Sequence, residues 1–238
     1  MKQKIPLLIT TAIEVTAPLT KMSDPEKRLA ATLHAFEQWL KISAVDEIVV
    51  VDGSDFEYGE RLRELGEAAG KKIEFLRFRA DEELTRARGK GYAEGEIVLY
   101  ALTHSKDLGG CRYFAKCTGK LWVANYEQCL TAFDGEFQCA VNGKRKIDTL
   151  DTRIYFASRD FWLKHLADAH LRVDDRHGYF LEHSYLDRLR EIGYRGVTLA
   201  VPPIVLGRSG SGDFEYARMS RYRYLSRRLR YAIFRRIY

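Results

Sequence analysis

Four short stretches of this chain carry side chains able to do chemistry. Residues 178–196 read GYFLEHSYLDRLREIGYRG: Glu182 follows an apolar run and opens a helix with Leu186, Leu189 and Ile192 at spacings of three, closed by Gly193. A carboxylate at a helix N-terminus, at the rim of what the helix packs on, can accept a proton from a hydroxyl. The helix dipole would equally favour a purely structural glutamate there. Residues 49–54 read VVVDGS: a buried strand delivers Asp52 to the sheet's carboxyl edge, and Gly53 lets backbone turn close to a ligand. An ordinary Asp-Gly turn is the alternative. Residues 86–99, RARGKGYAEGEIVL, set three cations beside two glycines, a composition for a pyrophosphate cradle or for a solvated basic loop. Residues 113–120, YFAKCTGK, add Lys116 and Lys120 around a glycine bend.

The elements that must position these residues alternate. Residues 5–13 predict a buried parallel strand, and 24–42 a helix with Asp24 as N-cap and Pro25 in its first turn. A second buried strand spans 46–52, a helix 57–70, a strand 72–78, then a basic loop at 86–91 and a helix over 91–105. The second half is mixed: strands near 112–123 and 134–157, a short helix at 159–168, the Glu182 helix, and a strand at 196–201 stopped by Pro202-Pro203. This order predicts a mostly parallel α/β sheet with sites at the strands' carboxyl ends. Neither GxGxxG nor GxxxxGK[ST] occurs.

The 238 residues suffice for one large domain with an ample core, and no run of 18 apolar residues exists. The N-terminal apolar stretch is short and interrupted by Glu14, so it reads as a strand, not a signal peptide. The four cysteines lack CxxC pairing, and buried free thiols in a reducing cytoplasm are the expectation. Net charge is +6, yet residues 218–238 hold eight arginines and no acid or lysine, leaving the other 217 residues at −2. That distribution argues against a nucleic-acid-binding body, and no nucleic-acid partner is expected.

Taken in order, the four stretches resemble GT-A-fold glycosyltransferases over roughly residues 5–205. Residues 178–196 resemble the Glu-Asp…Leu…Arg-Leu…Gly-Tyr block of inverting members, with His183 in place of the usual second acid. Residues 49–54 resemble the Val-Val-Asp-Asp-Gly-Ser strand end of family-2-type members, and 86–99 the Arg-Asn-x-Gly…Ala-x-Gly-Glu segment. Where those enzymes usually carry a metal-binding Asp-x-Asp, this chain has Lys116-Cys-Thr118-Gly-Lys120, similar to the Phe-x-Lys-x-Thr-Gly-Arg/Lys segment of bacterial surface-polysaccharide glycosyltransferases.

The resemblance implies a single GT-A-like (Rossmann-like) α/β domain over 1–206, with a nucleotide-binding half at 1–110 and an acceptor half at 111–206. It implies transfer of a sugar from an activated, nucleotide-type donor to a glycan or lipid-linked acceptor. Glu182 would be the base, with Asp151 as a second catalytic acid and Asp174 or Asp175 as alternatives. Thr11, Asp52, Gly53, Arg88, Lys90, Lys116, Thr118 and Lys120 would hold the donor, and Arg153 and His183 the acceptor. Lysines would replace a divalent metal (Mg or Mn), which is not expected. Two alternatives come from other classes: a nucleotidyl- or other phosphate-transfer enzyme, which shares the α/β half, and a non-catalytic protein that binds RNA or a partner through the Arg-rich tail.

Residues 207–212, GRSGSG, predict a flexible joint before the tail. In the tail, Tyr222, Leu225, Leu229, Ile233 and Ile237 recur at three or four, with arginines filling the rest. This basic amphipathic helix suits an anionic membrane surface, which would put the protein on the cytoplasmic face of the membrane. An RNA- or partner-binding helix, and a helix packed on the body with its arginines solvated, are the other two readings.

Overall fold

The computed structural model describes residues 5–17, 20–144 and 146–237, with Arg236 and Ile237 described by backbone alone. Residues 1–4 and Tyr238, within the basic N-terminus and tail read above, lie outside it. The first half alternates strand and helix: β1 (Leu7–Thr11), α1 (Pro25–Leu40), β2 (Glu47–Asp52), α2 (Gly59–Ala68) and β3 (Lys72–Arg77). Then come α3 (Glu82–Arg88), α4 (Lys90–His104), α5 (Lys106–Gly109), β4 (Tyr113–Thr118), β5 (Leu121–Val123) and α6 (Tyr126–Thr131). The second half has β6 (Phe137–Asn142), β7 (Thr149–Ser158), α7 (Arg159–His165), α8 (Leu181–Glu191), β8 (Val205–Arg208), β9 (Glu215–Tyr216) and α9 (Arg221–Ile237).

Six strands form one sheet in the order β3-β2-β1-β4-β7-β6. β1 pairs in parallel with β2 and β4, and β2 with β3, while β7 runs antiparallel to both β4 and β6. Both faces are covered, which explains the near-continuous apolar runs of β1 and β2. The period of two divides the runs: Leu8, Val49 and Val51 face α4, α7 and α8, while Leu7, Ile9, Ile48 and Val50 face α1. A helix start fixes α1: the Asp24 side chain accepts from the Glu26 and Lys27 N–H groups at 2.9 and 3.3 Å, with Pro25 following. A second, three-stranded sheet orders β5-β8-β9.

Three local expectations are corrected. Residues 86–91 are not a loop. Asp81 caps α3 early, and a break of one residue at Gly89 (φ 106°) lets α4 begin at Lys90. A Cβ at Gly89 would lie 2.3 Å from Asp175, so this glycine is required for space as well as for φ. Residues 196–201 are not a strand: a single bridge joins Thr198 to Cys139, made by Cys139 N–H to Val197 O at 2.8 Å and Leu199 N–H to Cys139 O at 3.1 Å.

Residues 207–212 are not a flexible joint. Gly207 and Arg208 belong to β8, and the turn that follows is closed by Ser209 N–H to Phe214 O at 2.8 Å and Asp213 N–H to Ser209 O at 2.9 Å. The backbone of Lys21 and Met22 donates to it from outside, at 3.2 Å each. Here glycine serves close approach: a Cβ at Gly207 would meet the Lys120 carbonyl at 2.2 Å.

The tail docks on the body with a face other than its predicted stripe. Tyr231 and Phe234 are fully buried, and Val141 N–H donates to Tyr231 Oη at 2.9 Å. Arg235 pairs with Asp134 at 2.7 Å, and Arg230 donates to Gly143 O at 3.1 Å. Tyr222, Leu225, Leu229 and Ile233 are 83, 61, 67 and 48% exposed.

Candidate active site

The carboxyl ends of β1, β2 and β4, the start of α4, the middle of β7 and the start of α8 surround one cavity of about 550 Å³. Thr11, Gly53, Lys90, Thr118, Lys120, Asp151, Arg153, Glu182 and His183 line it, so nine of the twelve residues expected at the site meet there.

The other three do not line it. Asp52 is fully buried and saturated. One of its oxygens accepts from Thr11 Oγ1 at 2.6 Å and Ile13 N–H at 3.1 Å. The other accepts from Ser54 Oγ, Ser54 N–H and Phe56 N–H at 2.5, 2.9 and 3.2 Å. It ties the loops after β1 and β2 together and presents Thr11 and Gly53 to the cavity. Arg88 points to the outside and donates to Leu171 O. Lys116 is fully buried, paired with Glu94 and donating to Thr118 Oγ1 at 2.8 Å and Thr152 O at 2.9 Å. A charge already neutralised by a carboxylate cannot also neutralise a phosphate.

One wall is cationic. Lys120 follows the bend at Gly119 with φ 68° and is 5% exposed, and among the described residues nothing hydrogen-bonds its Nζ. Burial first, and Arg28 second, push its ammonium down to about 7, against the opposing pull of Asp52 and Glu94. Arg28 is also buried, and among the described residues its guanidinium donates only to the Ala12 and Met22 carbonyls, at 2.8 Å each. Burial lowers it to about 10, with Asp52 opposing. A Cβ at Gly210 would lie 3.0 Å from Lys120 Cε and 3.1 Å from Arg28 Nη1, so glycine lets the β8–β9 turn close over both cations. Lys90 reaches the same turn, donating to Ser211 Oγ at 2.6 Å.

Other lining residues are acidic. Glu182 accepts from Thr152 Oγ1 at 3.1 Å and has no cation partner among the described residues. Burial raises its pKa, the charges of Glu94 and Asp151 add to this, and its own N–H and Thr152 oppose. Asp151 is held bidentately by Arg153 at 2.7 and 2.6 Å, and that guanidinium lies 4.7 Å over the Tyr216 ring. Asp175 caps α4 through Gly91 N–H at 3.3 Å, whereas Asp174 pairs with exposed His177 at 2.7 Å and stays outside the cavity. His183 accepts from Phe180 N–H at 3.2 Å at the start of α8. Of these acids, only Glu182 faces the cavity without an ion pair or a capping duty.

Arg28 and Glu94 escaped sequence reasoning. Arg28 sits in the buried register of α1 with Thr32, Ala35, Phe36 and Trp39, and an arginine on an apolar face was the available signal. Among the described residues no cluster of three or more His, Cys, Asp or Glu side chains is arranged to hold a metal ion. At the end of β4 the donor set is Thr118-Gly119-Lys120, which does not fit a divalent cation.

No known protein family description matches the chain, and no curated protein matches it in sequence. Solved structures do match in fold. GlyE, a glycosyltransferase of Streptococcus pneumoniae TIGR4, aligns with TM-score 0.51 and 11% identity over 83% of this chain, which spans only 45% of GlyE. The galactosyltransferase LgtC, solved with donor and acceptor sugar analogues, aligns with TM-score 0.50 and 10% identity over 78% of this chain and 70% of LgtC. A 4-diphosphocytidyl-2C-methyl-D-erythritol synthase reaches TM-score 0.44 at 13% identity, over 95% of this chain and 98% of its own. The fold is GT-A-like: a Rossmann-like α/β domain with a mostly parallel central sheet and a C-terminal helix.

Proposed function

We propose that this protein is a glycosyltransferase that moves a sugar from a nucleotide-activated donor to a hydroxyl of a glycan or lipid-linked acceptor in bacterial surface-polysaccharide synthesis. The observation that carries the reading is the polarity of the cavity: Arg28 and Lys120, buried and without a carboxylate ion pair among the described residues, line the same space as Glu182, whose carboxylate burial makes more basic and which has neither a cation partner nor the helix-capping role of Asp175.

In this reaction Glu182 takes the acceptor hydroxyl's proton as its oxygen attacks the anomeric carbon. The bond from that carbon to the donor phosphate breaks, and the electron pair leaves on the diphosphate. Arg28, Lys120 and Lys90 stabilise the departing charge in place of a divalent metal. A single direct displacement of this kind inverts the anomeric configuration. A raised pKa improves Glu182 as a base near neutral pH. Asp151 acts through Arg153 as a positioning pair at the acceptor side.

The exposed apolar stripe and the arginines of α9 suit the anionic cytoplasmic leaflet. Arg230 holds the Gly143 carbonyl while neighbouring Asn142 lines the cavity, so a docked α9 would bring the acceptor side to the lipid surface. No helix among the described residues is long and apolar enough to cross a membrane.

A panel of UDP-, GDP-, CMP- and dTDP-sugars, read by thermal shift, tests the reading. A donor at 100 times its Kd should stabilise the protein by about 2.7 kcal/mol. Loss of that shift in Arg28→Met and Lys120→Met is expected, and a panel without any stabilising member would overturn the proposal.

A further inference from the structure

A second cavity, of about 410 Å³, lies beside the first, between α1 and the small sheet. That volume is within the usual range for small-ligand sites, about 300–1,000 Å³. Lys120, Arg208 and Tyr216 line both cavities, so the two adjoin. Its walls are aromatic and polar together. Trp122 of β5 and Tyr216 of β9 are both partly exposed, and His34 meets the indole edge-on at 5.5 Å, fixing its plane. Ala30 and Ala31 leave the opposite wall, the face of α1, free of bulk.

The charge is one-sided. Lys27, Lys120 and Arg208 face a single acid, Glu215. Arg208 is occupied by Asp213 at 2.9 Å, but Lys27 and Lys120 have no ion pair among the described residues. A cation beside an indole fits a saccharide, whose C–H face stacks on the aromatic while its anionic substituents meet Lys27, Lys120 being engaged with the donor. Tyr216 lines both cavities, and Arg153 of the main cavity stacks over its ring.

We propose that this groove is a second saccharide site, taking anionic sugar residues of the acceptor chain as they leave the main cavity, with Trp122 as its stacking platform. The proposal rests on the glycosyltransferase reading of the main cavity. It gives that reading an acceptor class: a glycan longer than one sugar, bearing uronate or phosphate groups.

Trp122 is also the reporter. Of the three tryptophans, Trp39 and Trp162 are fully buried and Trp122 is not. Full-length protein is titrated with tetragalacturonate, and tryptophan emission is followed together with protection from succinimide quenching. A saturable shift is expected, absent in Trp122→Phe and weakened at least tenfold in Lys27→Glu. Lys27 is exposed in the first turn of α1, where a glutamate is favourable, so that variant should fold normally. Maltotetraose should bind at least tenfold more weakly.

No shift, equal binding of maltotetraose or of decauridylate, or indifference to Lys27→Glu would each overturn the proposal. Sugar-nucleotide turnover in the same preparations separates the two readings. Turnover with a silent Trp122 removes the groove and keeps the transferase. A responsive Trp122 without turnover on any donor keeps a saccharide groove and removes the transferase.

Discussion

Lys116 and Glu94 form an ion pair from β4 to α4 at the cavity's edge, in which the lysine is fully buried and the glutamate is not. The asymmetry makes their substitutions unequal. Glu94→Ala strands a buried ammonium, which costs about 3–5 kcal/mol when a buried pair is broken. Lys116→Met leaves a carboxylate that cavity water can reach, so its cost should be the smaller of the two. Urea denaturation of both variants tests the order. Lys116→Met should also keep donor affinity, since its charge is spent inside the protein.

Lys120 and Arg28 predict how donor binding depends on pH. Lys120 titrates near 7 in the free protein, and a bound diphosphate favours its charged form. Affinity should therefore fall as pH rises above about 7, by up to about tenfold per unit, until the raised pKa of the bound state is passed. Calorimetric titration of the stabilising sugar nucleotide at pH 6.5, 7.5 and 8.5 measures it, and Lys120→Met should flatten the profile. The unliganded fold should respond with the opposite sign. The lysine is protonated in the unfolded chain and largely neutral in the folded one between about 7 and 10.5, so its contribution to stability rises with pH across that window.

Transfer should survive EDTA, because the end of β4 offers a lysine where a divalent ion would need oxygen ligands. Strict dependence on Mg²⁺ or Mn²⁺, restored by adding the ion back, would contradict this.

Binding to anionic vesicles should depend on the exposed stripe of α9. Each arginine near such a surface contributes about 1 kcal/mol, screened as the Debye length falls from about 10 Å at 0.1 M salt to about 3 Å at 1 M. Leu225→Glu with Leu229→Glu should abolish co-sedimentation and leave thermal stability unchanged, since both side chains are exposed. Tyr231→Ala should instead destabilise the fold by about 3–5 kcal/mol, as for other buried aromatics. Removal of the whole tail would uncover that docking surface, so truncation is a poorer test than substitution.

Much of the fold was legible because the alternation of apolar β-branched runs with capped amphipathic segments is local. Asp24-Pro25 marked α1, and the VVVD run marked β2. The site was legible only in part. Both lysines of YFAKCTGK flank the Thr118-Gly119 bend in sequence, but Lys116 lies within β4 and pairs across to Glu94. Only the left-handed backbone at Lys120 turns the second lysine toward the cavity. That distinction depends on which helix packs on which face. The β8–β9 turn looked like a linker because its order comes from partners far away in sequence, Lys21, Met22 and Lys120. The tail's stripe was read correctly as a stripe, but its docking face, Tyr231 and Phe234, becomes visible only against β6.

Glu182 carries the central claim. Its raised pKa should appear as an acid limb in kcat/KM, above the ordinary glutamate range near 4.5. A carboxyl disfavoured as a charge in the fold also weakens the fold once ionised, so Glu182→Gln should be more stable than wild type at pH 7. The most direct measurement is the transfer rate of Glu182→Gln at saturating donor, with the donor's Kd determined on the same protein. The account predicts a rate lower by about 10²–10⁴-fold with Kd nearly unchanged. Wild-type turnover in this variant would contradict it and pass the role of base to Asp151 or Asp175.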